Sequence, residues 1–123
     1  VCHYMLPKVD SGQVIAETLF PLAPEDTVET LKLKTMQHML AMFKYIIPKI
    51  AANEELPVNK RQWMRPAFTR RQLNALCEIT PEMDTLEQQR RIRATTYPGY
   101  PGPYKLVDGI KHYYPVPMRA PLA

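Results

Sequence analysis

The chain opens Val1-Cys2-His3-Tyr4-Met5-Leu6-Pro7-Lys8-Val9-Asp10-Ser11-Gly12-Gln13-Val14-Ile15-Ala16, and this run decides how the remaining residues are organised. Val1 to Tyr4 reads as the end of a strand. Leu6 to Gly12 reads as a loop, with Pro7 at its start and the turn-forming Asp10-Ser11-Gly12 at its end. From Gln13 to Phe20, the side chains Val14, Ile15, Leu19 and Phe20 suit a pleated, half-buried surface and predict a second strand. The expected unit is strand, tight loop, strand. Taken singly, Asp10 is a turn aspartate and His3 a strand histidine.

Downstream, Pro21 to Pro24 breaks the pattern. Asp26 and Glu29 have the spacing of a helix capping box. Val28, Leu31, Met39, Leu40, Phe43, Ile46, Ile47 and Ile50 then recur at steps of three and four, and Leu33 and Met36 widen the stripe. This is the helical apolar period, and it predicts a helix buried over much of its girth. Met36, Met39 and Met42 are expected as core residues rather than a metal box. Pro48 has no amide hydrogen and is expected to kink or end the helix. Ala51 to Pro66 reads as a loop anchored by Trp63. Thr69 with Gln72, and Asp84 with Glu87, have capping spacing for two short helices, the first to about Ile79 and the second from Thr85 to Ala94. The proline-rich run from Tyr97 to Tyr104 cannot be helical. Lys105–Val107, Asp108-Gly109 and Ile110–Tyr114 predict a hairpin with a type I′ turn, ended by Pro115 and Pro117.

The 123 residues suit one domain or part of a larger one. Of the 13 prolines, six lie from Pro98 onward, so the last quarter should be extended and wrapped on another surface. The net charge of +4, from 16 basic and 12 acidic residues, gathers between Lys60 and Arg71 and between Arg90 and Arg93. Such patches suit a phosphate-bearing partner or a solvated helix face, and they disfavour an extended nucleic-acid interface. Cys2 and Cys77 lack metal-ligand spacing, so free thiols in the cytoplasm are expected. No stretch approaches the roughly 20 apolar residues of a membrane span, and no signal peptide is read. The Val start leads to the expectation that residues once preceded it.

Two motifs together carry a resemblance. His3 on a strand, followed after six residues by Asp10-Ser11-Gly12 and then an apolar strand, resembles the formyl transferase family. Arg91-Ile92-Arg93-Ala94-Thr95-Thr96-Tyr97-Pro98 with Pro101-Gly102 is similar to the segment that leads into the C-terminal region of methionyl-tRNA and sugar formyltransferases. The resemblance implies an α/β fold. Residues 1–52 would be the C-terminal part of a Rossmann-like catalytic domain, 53–82 a linker and short helix, and 83–123 a C-terminal helix and hairpin region. It also implies that the family's catalytic asparagine and histidine lie upstream. His3 belongs to a later strand and does not take that histidine's role, so the chain alone is expected to be inactive.

What the resemblance implies chemically is formyl transfer from N10-formyltetrahydrofolate to a primary amine. The upstream asparagine and histidine would stabilise the oxyanion. Asp10 would be the catalytic aspartate, favouring the charged histidine and relaying the amine's proton. Leu6, Pro7 and Val9 would wall the folate pocket, and Gly12 would let the backbone approach the pterin. The short tail favours a nucleotide-linked amino sugar as acceptor. Arg90, Arg91 and Arg93 would meet its diphosphate, and Tyr97, Tyr100 or Trp63 would stack on its base. Comparable tails in sugar N-formyltransferases imply a homodimer through the hairpin. A methionyl-tRNA formyltransferase-like enzyme and a non-catalytic dimerisation module remain the alternatives.

Overall fold

The computed structural model describes residues 1–116; Pro117, at the expected end of the hairpin, lies outside the described residues. The elements run β1 (Cys2–His3), β2 (Val14–Ala16), α1 (Val28–Ala51), α2 (Arg70–Cys77), α3 (Thr85–Thr95), β3 (Tyr104–Val107) and β4 (Ile110–Tyr113). The architecture is mixed α/β, with two antiparallel two-stranded sheets, β1 on β2 and β3 on β4. Contacts gather the chain into two units. One holds Val1–Pro24 with Leu31–Ala67, the other Glu25–Thr30 with the chain from Phe68 onward. This division falls at neither 52/53 nor 82/83, and it assigns the first turn of α1 to the second unit.

In the first unit the predicted strand, loop, strand is present but short. Cys2 faces Ala16 and His3 faces Val14, with a shift of register between them. The strand expected to reach Phe20 stops at Ala16, and Leu19 is left 75% exposed. Val14, Ile15 and Ile46 are the buried apolar residues of this unit. The segment after α1 returns to the sheet, where the Asn59 amide donates to the Val14 carbonyl at 3.0 Å.

Three expectations for α1 are corrected. Its reciprocal cap is Thr27 with Thr30 rather than Asp26 with Glu29. The Thr30 amide donates to the Thr27 hydroxyl at 3.2 Å and the Thr27 amide to the Thr30 hydroxyl at 2.9 Å. Asp26 is buried beneath them and accepts from the Thr30 hydroxyl. The helix also runs through Pro48 to Ala51. The missing donor falls in the last turn, where a closing motif gathers the terminal carbonyls. Asn53 adopts φ +53°, its amide reaches the Ile50 carbonyl, and the Glu54 amide reaches that of Lys49.

Finally, α1 is not wrapped by this chain. Ile46 is buried, and Leu31, His38 and Met42 are half-buried. Leu33, Met36, Leu40, Phe43, Ile47 and Ile50 form an unbroken seam at alternating steps of three and four, and each is 41% to 60% exposed. Met36 and Met39, expected in the core, are exposed as well. The apolar period says that a face must be covered; it does not say that this stretch of chain supplies the cover.

The second unit follows its local signals closely. Thr69 and Gln72 form the full capping box of α2, and the Asp84 carboxylate accepts from the Glu87 amide at 2.7 Å at the start of α3. Asp108 and Gly109 both have positive φ, +49° and +76°, as a type I′ hairpin turn requires. The hairpin is fastened at its base. The Ile79 amide donates to the Tyr104 carbonyl at 2.8 Å, the Tyr114 amide donates to the Pro103 carbonyl at 2.9 Å, and Pro103 is fully buried.

Candidate functional site

The β1–β2 loop is held by a small set of interactions, all within the first unit. The Tyr4 amide donates to the Gln13 carbonyl at 3.0 Å, and the Ser11 hydroxyl donates to the Lys8 carbonyl at 2.6 Å. Trp63 reaches across from the later loop, its indole N–H donating to the Gly12 carbonyl at 2.7 Å. The His3 ring stands edge-on to Trp63 at 5.0 Å, and its Nδ1 donates to the Tyr4 carbonyl at 2.8 Å. Trp63 is thus the expected anchor. What it holds here is the β1–β2 loop.

Gly12 has a reason to be glycine within the chain itself. A Cβ built there would overlap the carbonyl oxygen of Tyr4 and come within 3.1 Å of His3 Nδ1. The close approach is therefore between two turns of this chain's own backbone. Asp10 takes φ +51°, a left-handed conformation that Asp adopts more readily than most residues. Its side chain is half-buried, and among the described residues it has no hydrogen bond or ion pair. Leu6 and Val9 stand 55% and 69% exposed, and Pro7 is exposed beside them. A cavity of about 530 Å³ opens next to the loop, between Ser11–Val14 and Val58–Trp63. Neither Asp10 nor the apolar loop residues line it.

In the second unit the residues expected to hold a nucleotide part company. Arg91 is committed internally. Its Nε donates to Glu87 Oε1 at 2.7 Å, and its Nη1 lies 3.5 Å from the carbonyls of Ala75 and Glu78, tying α3 to the end of α2. Arg93 is exposed in the last turn of α3. Tyr97 packs against Tyr100 at 5.7 Å, and both line a cavity of about 310 Å³ wholly within the second unit. Arg70, Tyr104, Lys111 and Tyr113 line it too, and sequence reasoning missed all four. The signal was present in the hairpin. With Tyr104 opposite Tyr113 and Leu106 opposite Lys111, these four side chains share one face of the ribbon.

Among the described residues no helix is long and apolar enough to cross a membrane, and no three His, Cys, Asp or Glu side chains gather as metal ligands would. No protein-family model matches the sequence. Solved structures do match. One is a 4-N formyltransferase from Francisella tularensis, with a TM-score of 0.79 and 19% identity over 96% of this chain. Another is a sugar N-formyltransferase from a Shewanella species, with a TM-score of 0.73 and 20% identity over the same share. The chain spans about half the length of each, 50% and 49%. At this identity the likeness is one of fold, and it agrees with the resemblance read from the two sequence motifs: the fold of this chain is that of half of a sugar N-formyltransferase.

Proposed function

We propose that this chain is the later part of a formyltransferase that moves a formyl group from N10-formyltetrahydrofolate to the amine of a nucleotide-linked amino sugar. The observation that carries the reading is the fold likeness to two sugar-modifying formyltransferases over 96% of the chain. The β1–β2 loop is compatible with it. A carboxylate without an internal partner stands half-buried in a loop fixed at both ends, and Leu6, Pro7 and Val9 offer exposed apolar surface beside it for a flat heterocycle.

The donor supplies an activated formyl carbon. This chain's own contribution is Asp10, whose carboxylate oxygen accepts a proton given up by the attacking amine and holds the charge of an adjacent acid. The loop fixes where that oxygen stands, because Trp63 and the Tyr4 amide restrain the backbone on its C-terminal side. Arg91, whose Nε is also held by Glu87, and Arg93 are the arginines assigned to the diphosphate. The remaining catalytic groups come from the other half of the protein, and that half covers the exposed seam of α1. The protein is cytoplasmic, with Cys2 and Cys77 as free thiols, and it pairs through the hairpin face that carries Val107 and Ile110, 42% and 64% exposed.

The test is a side-by-side assay of the full-length protein with dTDP-, UDP- and GDP-linked amino sugars and charged initiator tRNA. Formylation of a sugar is expected, with Arg93→Ala raising KM more than it lowers kcat. Formylation of the tRNA alone overturns the acceptor.

A further inference from the structure

The indole that restrains the Asp10 loop belongs to a segment with no regular secondary structure, residues 58–63, and that segment has to be held in its turn. Three contacts fasten it at alternate residues, all within the first unit. The Asn59 amide donates to the Val14 carbonyl at 3.0 Å, Arg61 Nε lies 3.4 Å from Glu17 Oε2, and the Trp63 indole donates to the Gly12 carbonyl at 2.7 Å. A fourth contact stiffens the segment from inside. The Arg61 amide donates to Asn59 Oδ1 at 2.8 Å, a local side-chain turn that sets the direction in which the arginine leaves the chain.

The contact with Glu17 differs from the others. Glu17 Oε2 is closed off from water and makes no hydrogen bond among the described residues. A carboxylate oxygen in that position is costly unless a cation stands beside it, and Arg61 is the cation placed there. An ion pair wholly in solvent contributes little, but one whose acid is screened by the chain is weakened less by water and salt. The two partners are also unequal, with 20% of the Glu17 side chain exposed against 45% of Arg61. Without Glu17 the guanidinium can turn to water. Without Arg61 the carboxylate keeps an uncompensated oxygen.

We propose that Glu17 and Arg61 form a clamp that positions Asp10. The ion pair seats residues 58–63 against the end of β2, the Trp63 indole then holds the Gly12 carbonyl, and that hold fixes the carboxylate two residues earlier. Both act through the loop and are positioning residues. The inference rests on the reading of Asp10 as the proton acceptor, but the first of its two measurements does not.

The experiment uses full-length protein labelled with nitrogen-15. The Trp63 indole N–H is assigned by the signal lost in Trp63→Phe. Its deuterium exchange is then followed in Glu17→Gln, Arg61→Gln, the double variant and Arg61→Lys, each checked by circular dichroism. Arg61→Gln should speed that exchange about tenfold, as the local opening becomes easier. The second measurement is turnover. Displacing a reacting group by about 1 Å costs on the order of 10²-fold, so kcat should fall about 10- to 100-fold with KM little changed. Glu17→Gln should do less, and the double variant should lie nearer the wild type than Arg61→Gln does, since it removes the orphaned charge. Arg61→Lys returns the cation and should recover most of both signals. Indole exchange unchanged in Arg61→Gln overturns the clamp, as does a double variant more impaired than Arg61→Gln, or a raised KM with kcat intact. Faster indole exchange in Arg61→Gln, in a protein whose wild type transfers no formyl group, upholds the clamp and overturns the transfer reading instead.

Discussion

Replacing Gly12 by alanine should damage the fold, and the size of the damage comes from what the added methyl would meet. The obstacle is the Tyr4 carbonyl, a backbone group that cannot rotate aside, with His3 Nδ1 close behind it. To make room, β1 and the loop must separate. That strains or breaks the Tyr4 amide bond to Gln13 and displaces the Gly12 carbonyl from the Trp63 indole. Overpacking costs about 1–3 kcal/mol and each hydrogen bond contributes about 1 kcal/mol net, so a loss of roughly 3–5 kcal/mol is expected. That is a large part of the stability of an ordinary domain. Urea unfolding of the full-length protein measures it, with Gly99→Ala as the control. Gly99 has φ +84° but nothing within 4 Å of the added carbon, so the control should lose only about 1–2 kcal/mol from backbone conformation. A Gly12→Ala protein no less stable than the control refutes the steric reasoning. If its KM for the formyl donor rose instead, Gly12 would return to the donor site.

Asp10→Asn should keep the left-handed turn but lower the transfer rate of the full-length protein by about 10²–10⁴-fold, with unchanged circular dichroism; a near-normal rate would leave Asp10 as a turn residue only. Trp63→Phe keeps a ring beside His3 but orphans the Gly12 carbonyl, and should cost about 1–3 kcal/mol in the same urea assay. The Glu82 carboxyl is held below its usual range by the Thr80 side chain and then by its own backbone amide. With the folded value depressed, its contribution is present above the unfolded value and is lost as pH falls through the folded one. Thr80→Ala should therefore move the Glu82 titration upward in an NMR pH series, and an unmoved curve would discard Thr80 as the cause.

The features legible in the sequence were those whose cause lies within a few residues. The Thr69–Gln72 box, the Asp84 cap and the Asp108-Gly109 turn each need only their own neighbours, and each formed as spaced. Trp63 was legible as an anchor because a large ring in a polar loop has to rest on something, although its partner was not. The Arg91–Glu87 pair was not legible, since an arginine four residues after a glutamate reads equally as a ligand or as half of an ion pair. Pro48 misled because one missing donor, the amide that would have reached the Lys44 carbonyl, does not stop a helix that continues to Ala51. The candidate loop itself was readable from Asp10 and Gly12, but the reason for the glycine was not. Backbone-to-backbone approach leaves no side chain to betray it.

The seam on α1 bears on how the chain behaves in solution. Six apolar side chains lie along a 24-residue helix about 36 Å long at 1.5 Å per residue, and water covers them in the separate chain. Anything apolar that seats on this line binds the folded helix and not the unfolded coil, so mass action adds to the chain's resistance to unfolding. Its melting temperature is then not one number. It rises with the concentration of whatever apolar partner covers the seam.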